Sequence, residues 1–190
     1  MHVSSSDHLT AAHARSEQHE RDLLRPVTLS ERSLLLLALV RIFFGWLWFQ
    51  QLFWKLPPDF AGLRRYVVKE GTYTFLPGYS FVIQHVLLPN FLVLGAFTWT
   101  SELVVALCLL FGLFTRFGAI LAIVLALQLY VGLAYAPGEW YWTYGMLVLL
   151  GLVLAAAPAG RRLGVDQWLA LRLDGARETS RVARILRWFV

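Results

Sequence analysis

A helix needs about 20 apolar residues to cross the hydrocarbon core of a bilayer, and four stretches of this chain approach that length almost free of charge: Leu34 to Trp54, Phe91 to Leu113, Phe117 to Tyr135 and Trp140 to Ala157. The first holds only Arg41 and the second only Glu102, while the last two hold none. Over its 190 residues the chain is 58% hydrophobic and 15% charged, whereas soluble proteins carry roughly a quarter charged residues. An ordinary soluble enzyme is therefore excluded, and an all-α, polytopic bundle of four transmembrane helices is predicted. Residues 33–160 form its membrane domain, between a polar, disordered tail over 1–32 and a basic tail over 161–190. No segment between Met1 and Leu23 has a hydrophobic core, so the first span is expected to direct insertion itself.

Orientation follows from where Lys and Arg fall outside the spans. Arg15, Arg21, Arg25, Arg32, Arg116, Arg161, Arg162, Arg172, Arg177, Arg181, Arg184 and Arg187 lie on one side, against Lys55, Arg64, Arg65 and Lys69 on the other. Both termini are thus expected in the cytoplasm of a protein of the cell membrane. Trp140, Tyr141, Trp142 and Tyr144 suit the outer headgroup belt. The net charge of +5 in so apolar a chain points to anionic lipid as a partner and away from nucleic acid.

Lys55 to Asn90 is too long for a bare connection. Phe60, Leu63 and Val67 share one helical face beside Arg64, Arg65 and Lys69, which predicts a short interfacial helix. Tyr79 to Leu88 repeats the pattern with Phe81, Val82, His85 and Val86, beyond the break at Gly71, Pro77 and Gly78, and His85 is read as a surface histidine. In the C-terminal tail, Val182, Ile185, Leu186 and Phe189 alternate with Arg181, Arg184 and Arg187, the pattern of a basic amphipathic helix on the inner leaflet or on a soluble partner.

Few residues within the spans call for chemistry. Gly118, Ala122 and Ala126 are spaced for close helix packing, and Cys108 reads as a small packing residue. One cysteine excludes an internal disulfide, a four-cysteine cluster and a Cys-x-x-Cys pair. His2, His8, His13 and His19 fit no helical ligand face, and no span contains a histidine to complete a haem site with His85; neither metal, haem nor iron–sulfur cluster is indicated. Ionised groups near mid-bilayer are costly unless paired or wetted. Counted from the inner ends of the spans, Arg41 stands roughly 10 Å deep and Glu102 and Gln128 roughly 16 Å, so a single polar layer of Arg41, Glu102 and Gln128 is expected. It serves either as a structural ion pair or as a headgroup or proton site.

The order Arg41-x-x-x-Gly45-Trp46, Trp54-Lys55-Leu56, Ser101-Glu102-Leu103, Leu110-Phe111-Gly112-Leu113-Phe114-Thr115-Arg116, Trp140-Tyr141-Trp142-Thr143-Tyr144 and Ala159-Gly160-Arg161-Arg162-Leu163-Gly164-Val165-Asp166 resembles the DoxX-like superfamily, and within it the DoxD type. That type is the small membrane subunit of thiosulfate:quinone oxidoreductase. The resemblance, over about Arg41 to Leu169, implies a four-helix subunit paired with a second oxidoreductase subunit, passing electrons from thiosulfate to a quinone and yielding tetrathionate. It marks Arg41, Lys55, Glu102, Arg116, Arg161 and Asp166.

Two functions follow. In the first, quinone is the electron acceptor: Arg41 or Gln128 hydrogen-bonds a carbonyl, Glu102 exchanges protons, and Trp46, Phe49 and Trp99 flank the ring. In the second, the chain is a non-catalytic membrane scaffold or anchor that gathers soluble redox enzymes for thiol or oxidative stress management. A small-solute transporter is weaker, because four spans without an internal repeat leave little room for alternating access.

Overall fold

The computed structural model describes residues 30–176 and 189. The chain divides into two units, Met1–Ser30 and Glu31–Val190, and the fold described here is that of the second. The polar tail over 1–32 lies almost wholly outside the described residues, as does the basic helix expected around Arg181 to Phe189 apart from Phe189 itself.

Every regular element among the described residues is helical. Helix α1 spans Glu31–Gln50 and leads into a tight turn, Phe53–Lys55. Helix α2 is Ala61–Tyr73, and α3, Pro77–Val82, runs into a π turn, Ile83–Leu87. Helices α4, α5 and α6 are Phe91–Phe111, Thr115–Leu133 and Tyr141–Ala156. A 3₁₀ turn at Ala159–Arg161 precedes α7, Val165–Ala176.

Helix α1 with its extension to Lys55, α4 and α5 are long and apolar enough to cross a membrane, whereas α6, at 16 residues, is shorter. The surfaces of all four are greasy: Phe43, Val93 and Phe97 are more than 60% exposed, and Val124, Leu149 and Leu152 also face outward. A soluble protein would not leave such a continuous apolar exterior.

Local sequence explains where these helices stop. Leu56 adopts extended backbone, as expected immediately before a proline. Helix α4 ends at Gly112, whose φ of 61° is the left-handed conformation that closes helices most readily with glycine. Helices α1 and α4 pack antiparallel in a register that sets Arg41 beside Gly112 and Lys55 beside Glu102. Phe44, Trp48, Val105, Leu109, Ala119, Ala122 and Leu154 fill the space between the long helices. Gly118, Ala122 and Ala126 all face this buried side.

Glu31 and Arg162 form an ion pair, so the beginning of α1 and the segment after α6 lie at one end of the bundle, here the termini end. The opposite, cap end carries α2, α3 and the Ala136–Glu139 turn. There Phe60, Leu63, Val67, Ile83 and Phe91 make a second cluster. Leu63 and Val67 face inward as their spacing requires. The expected apolar face of the next helix is reversed, since Phe81, Val82 and Val86 are exposed and Ile83 is buried, while His85 lies at the surface as expected. The inward face is made instead by Tyr79, Ile83 and Leu87, at i, i+4 spacing.

Candidate functional site

Two sets of buried charges lie in this bundle. At the termini end, Arg41 has no exposure to solvent and donates from Nη2 to the Leu163 carbonyl at 2.7 Å. Its Nη1 occupies the space where side chains at Gly112 and Gly164 would begin. The carboxylate that attracts it is Asp166, itself fully buried. Asp166 accepts from the backbone N–H groups of Phe114 at 2.7 Å and Thr115 at 2.9 Å, and its own N–H donates to the Gly112 carbonyl at 2.8 Å. Phe114 and Leu163 have φ values of 49° and 51°, a conformation that costs a non-glycine residue on the order of 1–3 kcal/mol. The two charges thus clamp two strained backbone sites, tying the chain after α6 to the α4–α5 turn.

The proposed layer of Arg41, Glu102 and Gln128 is therefore not formed. Gly112, beside Arg41, lies ten residues along α4 from Glu102, about 15 Å at the helical rise. The depth count assumed spans with level inner ends, but α1 begins well beyond the α4–α5 turn.

At the cap end, a cavity of about 860 Å³ opens between the helices and beneath α2. Three polar groupings line it. In the first, Lys55 and Glu102, both buried, form an ion pair. Lys55 ends the α1 extension immediately before the Leu56-Pro57 break, and its Nζ also lies 4.7 Å from the Trp54 ring centre. The second Glu102 oxygen and the Trp48 indole N–H are buried in the cavity wall without a hydrogen-bond partner.

In the second, Glu70 of α2, 3% exposed, accepts from the Gln128 amide of α5 and from the Tyr79 hydroxyl at 3.3 Å. The same amide reaches the Tyr79 oxygen at 3.0 Å. Gly132 makes this arrangement possible, because a Cβ there would come 2.6 Å from Glu70 Cγ. Burial pushes the Glu70 carboxyl up to about 8 despite the hydrogen bonds from Tyr79 and Gln128 and the Lys55 charge. Burial, and then the Glu70 charge, raise the Tyr79 hydroxyl to about 12.

In the third, Glu139 accepts from Lys69 at 2.7 Å and from the Tyr144 hydroxyl at 2.7 Å. Burial acts to raise this carboxyl, but the two hydrogen bonds and the Lys69 charge outweigh it and hold it below the usual range.

Of the residues singled out from sequence, Glu102, Gln128 and Lys55 share the cavity. Trp46 is instead nearly half exposed against Phe49, and Trp99 packs on the Phe60–Phe91 cluster; neither indole lines the cavity wall. Arg116 sits in the first turn of α5 and Arg161 is exposed in the 3₁₀ turn. Sequence reasoning missed Trp48, Glu70, Tyr79, Lys69, Glu139 and Tyr144 as site residues. Glu70 had a signal: positions 63, 67 and 70 make one helical stripe, so an acid sits on the apolar face of α2. Among the described residues no cluster of His, Cys, Asp or Glu could hold a metal ion. Compared with protein-family models, curated proteins and solved structures, the chain matches none.

Proposed function

We propose that this chain is a four-span, DoxX-like membrane subunit of a quinone-linked sulfur-compound oxidoreductase, with the cavity beneath α2 as its quinone site. Helix α6 serves as the fourth span: Met146, Leu149, Leu152 and Val153 face outward, and exposed Trp140, Tyr141 and Trp142 at its start fit a headgroup belt. Both termini face the cytoplasm, following the excess of arginine at that end, while Lys55 and Lys69 at the cap end are neutralised by Glu102 and Glu139. Helices α2 and α3 lie at the outer interface.

The observation that carries the quinone assignment is a buried donor and a buried acceptor, the Trp48 N–H and the second Glu102 oxygen, both unpartnered and both from residues that line the cavity. A buried polar group without a partner costs about 1–3 kcal/mol, so a ligand satisfying both is stabilised there. The N–H suits a ring carbonyl, and the carboxylate suits the hydroxyl that replaces a carbonyl after reduction. The volume lies within the range of about 300–1,000 Å³ usual for small-molecule sites. Phe97 and Val124, both lining residues, are 68% and 56% exposed, which offers a lipid-soluble ring an apolar approach from the bilayer.

The chemistry balances when two thiosulfate anions, oxidised at a partner subunit, join as tetrathionate and release two electrons. Quinone takes these with two protons to become quinol. This chain's share is to bind the ring, orient its two oxygens and supply protons.

The test is purification of the protein in mild detergent, extraction of bound quinone, and reduction of a soluble quinone analogue by thiosulfate with and without co-purifying partners. Stoichiometric quinone and partner-dependent reduction are expected. Absence of both would leave the membrane scaffold as the better reading.

A further inference from the structure

A buried quinone site needs a source of protons, and the two ends of this bundle differ sharply in what they offer. Toward the termini end the cavity floor is apolar: Phe44, Val105, Leu109, Ala119, Ala122 and Leu154 are each 1% exposed or less. Beyond that plug, among the described residues, the buried charges are Arg41 and Asp166, both held by backbone groups, and Glu31 is paired with Arg162. The half-buried Cys108 packs against Gly118. Toward the cap end the wall is lined with groups that carry protons. Tyr79 and Gln128 hold Glu70, and the Tyr144 hydroxyl donates to Glu139, whose side chain is 17% exposed and paired with Lys69 at the rim.

We propose that Glu70 is the proton-exchanging group of the cavity and that it communicates with the cap side alone, through Glu139 and Tyr144, so that the protons of quinone chemistry are drawn from the outer face. This deepens the quinone reading and rests on it. Each turnover consumes two protons with two electrons from thiosulfate; the assignment concerns the side from which those protons come. Glu70 gives its proton toward the ring oxygen and recovers one from the cap solution. A water-filled passage need only connect two carboxyl groups that already line one cavity.

The charged and titratable groups facing Glu70 are known. Lys55 approaches from the turn after α1, Tyr79 from α3 and Tyr144 from α6, while α5 contributes only Gln128 and Gly132. Lys69 on α2 itself is tied to Glu139, and Glu102 acts through Lys55. With its carboxyl raised to about 8, Glu70 holds a proton at neutral pH and can give it up.

The experiment uses the full chain in oriented liposomes with membrane-impermeant buffers, watched by the infrared band of protonated carboxyl groups. Stepping the cap-side pH from below to above about 8 should abolish a band that Glu70→Gln lacks, while the same step on the termini side leaves it intact. A band that follows the termini side, follows both sides, or survives Glu70→Gln overturns the assignment. Should Glu70→Gln fail to fold, Glu139→Gln decides: it keeps the Glu70 band but slows its response to the cap-side step at least about tenfold, below the usual range for loss of one proton-transfer group. An unchanged response also overturns the assignment. Quinone content is measured in the same liposomes. Its absence defeats the quinone reading without affecting the band, so the two failures are distinguishable.

Discussion

The termini end and the cap end of this bundle both bury charge, but they satisfy it in opposite ways. At the termini end Arg41 and Asp166 bond backbone groups and hold Phe114 and Leu163 in left-handed conformations, with Arg41 packed against Gly112 and Gly164 and its Nε and Nη1 left without a partner. At the cap end Lys55, Glu102, Glu70 and Gln128 bond one another around a cavity, leaving a carboxylate oxygen and an indole N–H unpartnered. Charge bonded to backbone ties chain segments together and fixes a fold. Charge shared among side chains around a cavity leaves room beside it, which is what the proposed ligand site requires.

The comparison breaks most readily at the clamp. Arg41→Leu should destabilise the protein by about 3–5 kcal/mol, the usual consequence of leaving one member of a buried charge pair alone. Thermal unfolding in detergent measures this, and little change would mean the clamp is dispensable. Asp166→Asn keeps most of the shape but leaves the buried Arg41 charge without its carboxylate and weakens the cap on α5, so a loss of similar size, about 3–5 kcal/mol, is expected. Its bound quinone should be unchanged, because the clamp is remote from the cavity.

At the cap end the expected signature is in pH. The unfolded Glu70 carboxyl ionises near 4.5 while the folded one holds its proton until about 8. Between those values the fold binds one more proton than the unfolded chain, so stability falls as pH rises, by about 1.4 kcal/mol per pH unit at most. Glu70→Gln should flatten that slope, and melting curves across the window check it. The smallest effect belongs to Lys69→Ala. Its pair with Glu139 is partly exposed, and such pairs contribute about 0.5 kcal/mol or less. Weaker stability near pH 4 in the native protein, absent in this variant, would identify the lowered Glu139 carboxyl.

The long helices were legible because lipid demands apolar runs: α4 and α6 fall within the blocks from Phe91 and Trp140, and α1 and α5 start three and two residues ahead of the blocks from Leu34 and Phe117. The partners of the charges were less legible. Arg41 and Glu102 are single charges in neighbouring helices, and composition cannot show that α1 overruns the α4–α5 turn; only the packing of Arg41 against Gly112 sets that register. Lys55 was identified by resemblance alone, because a lysine at the end of an apolar run ordinarily points to the headgroups. Here it is buried and paired with Glu102. Glu70 was readable from its place on the Leu63–Val67 stripe, but Tyr79 lies on the face opposite the apolar one that Phe81, Val82 and Val86 suggest.

The most direct measurement is a double-mutant cycle on Lys55 and Glu102 that follows thermal stability and bound quinone together, with Arg41 and Glu102 as the control pair. Lys55→Met and Glu102→Gln should each lower both quantities. The double variant should recover stability, since no unpaired charge remains, yet bind no quinone, while the Arg41 and Glu102 variants should combine additively. Recovery of quinone together with stability in the Lys55 and Glu102 double variant, or strong coupling between Arg41 and Glu102, would contradict the assignment of the cap-end cavity as the functional site.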